Sequence, residues 1–205
     1  MSQFYKIAGI LLFTSCLCCA QSFTFTDTYP VNNPDSLELW LTHNPKPTHE
    51  RLKNLIRLER TYYWNNLFRL KTHHKEIEKL AASIHSKIGS ACVDYINALY
   101  YSAQNQSIES VKLANNALKS FQLLNDNSGI IHAYSLFVLV NSTIFGNQVV
   151  SDPKFSKGYL DKINDLLVKI NSVHDKLMAR LAYTRYLYGQ GGDAVKELRP
   201  ILGYI

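Results

Sequence analysis

Helical periodicity that continues almost unbroken from Thr48 onward is the feature that most constrains this chain. Apolar side chains recur three or four residues apart, first at positions 52, 55, 56, 62 and 63 and later at 92, 96, 99 and 103. That spacing gathers them on one face of a helix, and no stretch alternates apolar and polar residues as a strand does. The pattern predicts an all-α fold of eight helices that form antiparallel pairs across short breaks.

The helix pairs also repeat along the sequence. Tyr62 and Tyr63 recur as Tyr100 and Tyr101, a shift of 38 residues, and KIGSACVDY recurs loosely as NSGIIHAYS with a shift of 40. A two-helix unit of roughly 34 to 47 residues is typical of a helical solenoid. One such pair leaves an apolar face uncovered, so we expect about four pairs to stack on one another.

One unit carries a recognisable motif, INALYYSAQNQSIESVKLANNALKSF at 96–121. It resembles a tetratricopeptide repeat, in which small residues let two helices cross closely. Ala98 occupies the small position of the first helix, Tyr101 the aromatic position and Asn105 the turn. The small positions of the second helix are held by Ser110, Ala114 and Ala117. Asn105 replaces the usual turn glycine, which is tolerable because asparagine accepts left-handed backbone conformations.

This resemblance implies a fold and a kind of function. The fold is a solenoid of tetratricopeptide-like helix pairs, and the function is protein or peptide binding rather than catalysis. In that family the first helices line a concave groove, which makes eight residues of this chain candidate groove residues. They are Arg57, Thr61, Trp64, Tyr95, Ser102, His132, Ser135 and Tyr186. The alternative for each tyrosine is simple packing between helices.

A second resemblance gives an alternative function. The segment 34–63, PDSLELWLTHNPKPTHERLKNLIRLERTYY, resembles the start of the exported, repeat-bearing N-terminal regions of bacterial sensor histidine kinases. That similarity implies the sensory region of a signalling protein. The apolar ending ELRPILGYI is unlike the polar capping helix that normally closes a solenoid, which favours a truncated repeat domain.

Residues 1–20 predict an export signal. One lysine precedes the apolar stretch IAGILLF, and the small residues of CLCCA lead to a predicted cleavage site between Ala20 and Gln21. The apolar stretch is short for a span, which takes about 20 residues. We therefore expect a periplasmic or cell-envelope protein, with a lipid anchor at Cys16 as the alternative to a soluble one.

The positions of prolines, polar stretches and helix caps predict the domain organisation. The polar, proline-containing lead at 21–33 has few long apolar side chains and predicts a linker. A short capping helix is predicted at 34–45, with Asp35 and Glu38 forming a reciprocal N-terminal cap. The repeat domain is predicted over 48–205, interrupted by a loop at 145–158 before a helix that starts at Tyr159.

Several kinds of chemistry find no support in the sequence. None of the seven histidines forms an i, i+4 ligand pair, so we predict no metal site, and the absence of a phosphate-cradling glycine loop predicts no cofactor. Carboxylates are sparse, and no catalytic pair is evident. Cys92 lies in an apolar helical pattern that predicts a buried, inert thiol.

Nucleic acid and membrane are also disfavoured as partners. The formal charge is +6, but the richest basic cluster, at 71–79, contains Glu76 and Glu78 and is typical of a solvated helix face. The uncharged stretch 129–146 approaches the length of a span, yet its His, Ser, Asn and Thr side chains would be costly in lipid. It predicts a central helix packed on both sides.

Overall fold

A computed structural model describes residues 23–141, 153–170 and 172–189, and over these ranges it confirms the all-α class. The described residues form eight α-helices and no strand. The helices are α1 Pro34–His43, α2 His49–Asn65, α3 His74–Ser83, α4 Lys87–Ala103, α5 Ser107–Leu123, α6 Asn127–Asn141, α7 Pro153–Leu167 and α8 Val173–Gly189. The predicted signal at 1–20, the cleavage site and the last predicted helix lie outside the described residues.

The helices pack in two layers. The even-numbered helices α2, α4, α6 and α8 lie side by side in chain order and form the inner layer. Each odd-numbered helix from α3 to α7 packs against the two inner helices that flank it in the sequence, and α1 packs against α2. Successive helices joined by short turns run in opposite directions, so the described chain is a row of packed helix pairs.

Three of the turns between helices are built alike. Their left-handed residues are His85, Asn105 and Asn125, with φ of 52°, 60° and 53°, and they lie 20 positions apart. In each turn the next residue donates its N–H to the carbonyl five positions back, at 2.9 Å, as in a Schellman motif. The structure thus confirms the predicted left-handed turn at Asn105 and shows equivalent turns on either side of it.

Gly89 and Gly129, 40 residues apart, occupy equivalent positions at the starts of α4 and α6. The N–H of Gly89 is capped by Ser86 Oγ at 3.1 Å, and that of Gly129 by Asp126 Oδ1 at 2.9 Å. A methyl group at Gly89 would lie 2.6 Å from a methyl carbon of Leu52, and one at Gly129 would lie 2.4 Å from the Phe121 ring. Both positions require glycine because a neighbouring side chain approaches the backbone.

Small side chains also set the crossing of α4 and α5. Ala98 of α4 and the small residues of α5 are fully buried where the two helices meet. The hydroxyl of Ser110 donates to the Ala98 carbonyl at 2.8 Å, which brings the two backbones together. The predicted small positions Ser110, Ala114 and Ala117 all lie at this contact.

Helix α6 is the central helix of the described fold. It contacts α4, α5, α7 and α8, and its apolar side chains are almost all buried. This confirms the packed helix predicted for 129–141, the described part of the uncharged stretch. Within the described ranges, no helix has the length and apolar character needed to cross a membrane.

Three predicted boundaries differ from the structure. The cap of α1 is Asn33, whose side chain accepts from the N–H of Asp35 at 3.0 Å, while Glu38 bonds to Tyr62 and Arg69 instead of closing the predicted cap. Helix α7 begins at Pro153 rather than Tyr159, because proline is well suited to the first turn of a helix. The apolar positions 67, 70, 77, 80, 84 and 88 predict one helix, whereas α3 begins only at His74, after a 3-10 turn at Leu67–Arg69.

Candidate functional site

Residues 23–33, named the strap here, lie against the inner layer. The sequence predicts a linker for this segment, but its 3-10 turn, Phe25–Thr28, contacts both α2 and α6. Phe25 and Thr28 are fully buried. The segment lacks the apolar residues to fold alone, as predicted, and it is ordered because the inner helices supply the partners.

Phe25 is the hydrophobic anchor of the strap. Its ring meets Tyr95, Phe121 and His132 edge-on, with ring centroids 5.3, 5.0 and 4.9 Å away. The guanidinium carbon of Arg60 lies 4.0 Å from the centre of the same ring. Edge-to-face packing and cation–π contact both stabilise a buried aromatic side chain, so Phe25 holds the strap to three inner helices.

Hydrogen bonds fix the backbone of the strap at several points. The Phe25 N–H donates to Asp126 Oδ2 at 2.8 Å, and the Val31 N–H donates to Thr61 Oγ1 at 3.0 Å. Arg57 Nε donates to the Tyr29 carbonyl at 3.3 Å. All three hydrogen bonds involve main-chain atoms of the strap, so they do not depend on the identity of its side chains.

Tyr29 connects the strap to α8. Its hydroxyl donates to Asp175 Oδ1, and Ser128 Oγ donates to Asp175 Oδ2 at 2.7 Å. His132 Nε2 lies 3.3 Å from Asp175 Oδ1, and the Tyr95 hydroxyl lies 3.3 Å from His132 Nδ1. Asp175, although fully buried, therefore has partners for both of its oxygens.

Burial and hydrogen bonding set the charges in this network. Burial lowers the pKa of His132 to about 4, so its ring is neutral near pH 7. For Asp175, burial acts to raise the pKa, but the hydrogen bonds from His132 and Tyr29 outweigh it and the pKa lies below its usual value. Burial and the bond to Asp175 raise the pKa of Tyr29. The network at neutral pH thus holds one negative charge, on Asp175.

Arg60 is a buried cation beside this network. Its side chain is 97 % buried, and Nη1 donates to the Phe25 carbonyl at 3.2 Å and to the Thr28 hydroxyl. Burial is the main reason that its pKa is lowered. In the part of the chain that the structure describes, no carboxylate lies within 4.0 Å of it.

A cavity of about 440 Å³ lies between the strap, the inner helices and α8. Leu177, Met178 and Leu181 of α8 and Leu99 of α4 give it an apolar wall. The rest of its described lining consists of Tyr29, Pro30, Asn32, Arg60, Trp64, Tyr95, His132 and His174. A pocket of this size that is mostly apolar, with a few polar groups, has the character of a ligand site.

The structure brings five of the eight predicted groove residues to the strap or the cavity. Arg57 and Thr61 bind the strap backbone, Tyr95 and His132 surround Phe25, and Trp64 lines the cavity with 49 % of its surface exposed. The strap therefore covers much of the face predicted to meet a partner.

The other three predicted residues lie elsewhere. Ser102 is half-buried near the end of α4, where it bonds to Tyr63. Ser135 is fully buried, and its hydroxyl has no hydrogen-bond partner among the described residues. Tyr186 is half-buried on α8 and packs against the core. Packing between helices, the alternative left open by the sequence, describes Tyr186 well.

Sequence reasoning missed Phe25, Tyr29, Arg60, Asp126 and Asp175. Arg60 follows Arg57 by three residues on the same helix, so its placement on one face was available from the spacing. The aromatic residues of the strap, in FTFTDTY, were a further signal, because aromatic side chains are usually buried and a solvated linker leaves them exposed. Asp175 carried no signal, because its role depends on a residue 146 positions away.

The titratable groups His132 and Asp175 of this site are at least 96 % buried, and His132 Nε2 lies 3.3 Å from Asp175 Oδ1. Cys92 is fully buried as predicted, and burial raises the pKa of its thiol to about 12, which leaves it unreactive. Among the described residues, no three His, Cys, Asp or Glu side chains are grouped to hold a metal ion.

Comparison with known proteins adds no relative. No protein family, curated protein or solved structure matches this chain. Over the described residues the protein is all-helical, and its inner helix layer holds a segment of the same chain.

Proposed function

We propose that this protein is an exported, non-enzymatic scaffold of tetratricopeptide-like helix pairs that binds a protein or peptide on its inner helix layer. The observation that carries the proposal is the strap itself. The inner layer and the turn before α6 bind the eleven-residue strap, 23–33, which includes a 3-10 turn, through hydrogen bonds to its main chain and one aromatic anchor. A surface that binds one such segment has the groups needed to bind a peptide.

We expect a partner to bind the part of the inner helix layer that the strap does not cover. Trp64, at the end of α2, is 49 % exposed and stacks edge-on with Tyr63 at 5.0 Å. Tryptophan and tyrosine are enriched among the residues that dominate binding energy at interfaces. We place the centre of the partner site at Trp64 on this ground.

Site-specific crosslinking tests this function. A photo-reactive benzoylphenylalanine replaces Trp64 in one variant and Ile108 in a control, and both are irradiated in the source cells. Ile108 is 82 % exposed but lies on α5 in the outer layer. The proposal expects a discrete crosslinked protein from position 64 and none from position 108. Crosslinks from neither position, or the same products from both, would contradict it.

A second candidate function is the sensory region of a signalling protein, as the histidine kinase resemblance implies. The observation that favours it is the cavity enclosed by the strap and α8. A ligand bound there would touch both ends of the described fold and would stabilise their contact by mass action. This second function requires ligand binding to the cavity, whereas partner binding at Trp64 does not require it.

A further inference from the structure

We propose that the cavity between the strap and α8 binds a small amphiphile, with its carboxylate at Arg60 and its apolar body against α8. The cavity is formed by Tyr29 and Pro30 of the strap on one side and by His174 to Leu181 of α8 on the other. This small-molecule site shares Trp64 with the proposed protein partner site, but ligand binding in the cavity does not require a protein partner.

The charge of the site comes from Arg60. A guanidinium has five N–H donors, and the two hydrogen bonds of Arg60 in the described chain both leave from Nη1. Both acceptors, the Phe25 carbonyl and the Thr28 hydroxyl, are neutral. A buried cation without an anion close by is costly, and a ligand carboxylate would supply the missing partner through a charge-assisted hydrogen bond.

The other titratable groups at the cavity do not compete for that role. Asp175 is fully buried behind the cavity wall, and both of its oxygens are engaged by Tyr29, Ser128 and His132. His132 is neutral near pH 7, and burial also lowers the pKa of His174. No acidic side chain is among the described residues that line the cavity. Arg60 is the one formal charge in that lining at neutral pH.

The remaining wall selects the body of the ligand. Leu99, Leu177, Met178 and Leu181 present aliphatic surface, and Trp64, which is 49 % exposed, also lines the cavity. An apolar chain moved from water to such a wall is stabilised by the hydrophobic effect. The volume of about 440 Å³ suits a medium-chain carboxylate rather than a folded partner.

Calorimetric titration of the purified protein with decanoate and with decan-1-ol tests the site. The two probes share an apolar chain and differ in charge. We expect saturable 1:1 binding of decanoate, about tenfold tighter than that of decanol, because only the carboxylate can accept a charge-assisted hydrogen bond from Arg60. Equal affinities, or no saturable binding of decanoate, would overturn the proposal.

Variants assign the binding to this cavity. Arg60→Met should weaken decanoate about tenfold and leave decanol unchanged, whereas Arg180→Met, which removes an exposed arginine of α8, should leave both unchanged. Leu181→Trp should block both probes by filling the cavity. The Leu181→Trp variant also tests the proposal if Arg60→Met does not fold. Full decanoate affinity in Leu181→Trp, or equal losses in the two arginine variants, would overturn the proposal.

Discussion

Asp175, on the last described helix, accepts a hydrogen bond from Tyr29, which precedes it by 146 residues. The same carboxylate accepts from Ser128 of α6 and faces His132 of that helix. One buried carboxylate therefore joins the strap, the central helix and α8. Because Tyr29 and Asp175 are 146 positions apart in the chain, this contact gives the described fold a long-range closure.

Replacing Tyr29 with phenylalanine should show what this closure contributes. The change leaves the ring in place and removes the hydroxyl that donates to buried Asp175, so we expect the free energy of unfolding to fall by about 1–3 kcal/mol. Urea denaturation measures it. Tyr183→Phe on α8 is the matched control, since that tyrosine is 45 % exposed. A loss no larger than that of the control would show that the bond does not stabilise the fold.

Acid should lower the free energy of unfolding through the protonation of His132. Its pKa is about 4 in the folded state against about 6.5 in the unfolded state, so the unfolded chain takes up the proton first as the pH falls. The stability is complete above pH 6.5 and decreases between pH 6.5 and 4, by roughly 3 kcal/mol for this group. The lowered pKa of Asp175 adds a further loss only at still lower pH. Denaturation midpoints measured from pH 7 to pH 4.5 follow the effect.

The variant His132→Gln assigns that pH dependence. Glutamine hydrogen-bonds but does not titrate, so the stability of this variant should change much less between pH 7 and 4.5, even if it is lower throughout. His43→Gln is the control, because His43 is exposed at the end of α1. Unchanged acid sensitivity in His132→Gln would assign the effect to other histidines.

Two glycine-to-alanine substitutions should have opposite effects. At Gly89 the new methyl group would meet Leu52 at 2.6 Å, so overpacking should cost about 1–3 kcal/mol. At Gly158 in α7 nothing lies within 4 Å, and alanine should stabilise the helix by about 0.5–1 kcal/mol. Thermal unfolding compares the two variants. Similar shifts in both would mean that α4 does not approach α2 this closely.

The turn at Asn105 gives a prediction about backbone conformation. With φ of 60°, Asn105→Ala should cost about 1–2 kcal/mol, because an alanine Cβ disfavours the left-handed region, whereas Asn105→Gly should be close to neutral. The difference in urea midpoint between these two variants measures the effect without removing any buried contact, since Asn105 is exposed. Identical midpoints would place the residue in a right-handed turn.

Local signals predicted most of the fold. Helix periodicity and the turn residue Asn105 depend on near neighbours in the chain and are readable from the sequence, whereas the contact that constrains Gly89 comes from Leu52 on another helix. The sequence pattern places the start of α7 at Tyr159, whereas the helix begins at Pro153 because proline suits the first helical turn. Proline occurs both in loops and in the first turn of a helix, so Pro153 alone did not decide between these two local structures.

The candidate site was predicted only in part. Placing first helices on one face gave Arg57, Thr61, Tyr95 and His132, which the structure brings to the strap. The aromatic residues of the strap were visible in the sequence, but the face that they occupy was not predictable from the segment alone. Its partners lie on helices that come together only when the inner layer forms.

The contacts of Phe25 with the helices test the central claim most directly. The Phe25 ring centroid lies 4.9 Å from that of His132 on the inner helix α6 and 5.0 Å from that of Phe121 on α5. Nuclear Overhauser measurements on protein with labelled phenylalanine and histidine rings should give cross-peaks from Phe25 to both partners. Strap resonances at random-coil shifts, with no cross-peak to either ring, would show that residues 23–33 do not occupy this face.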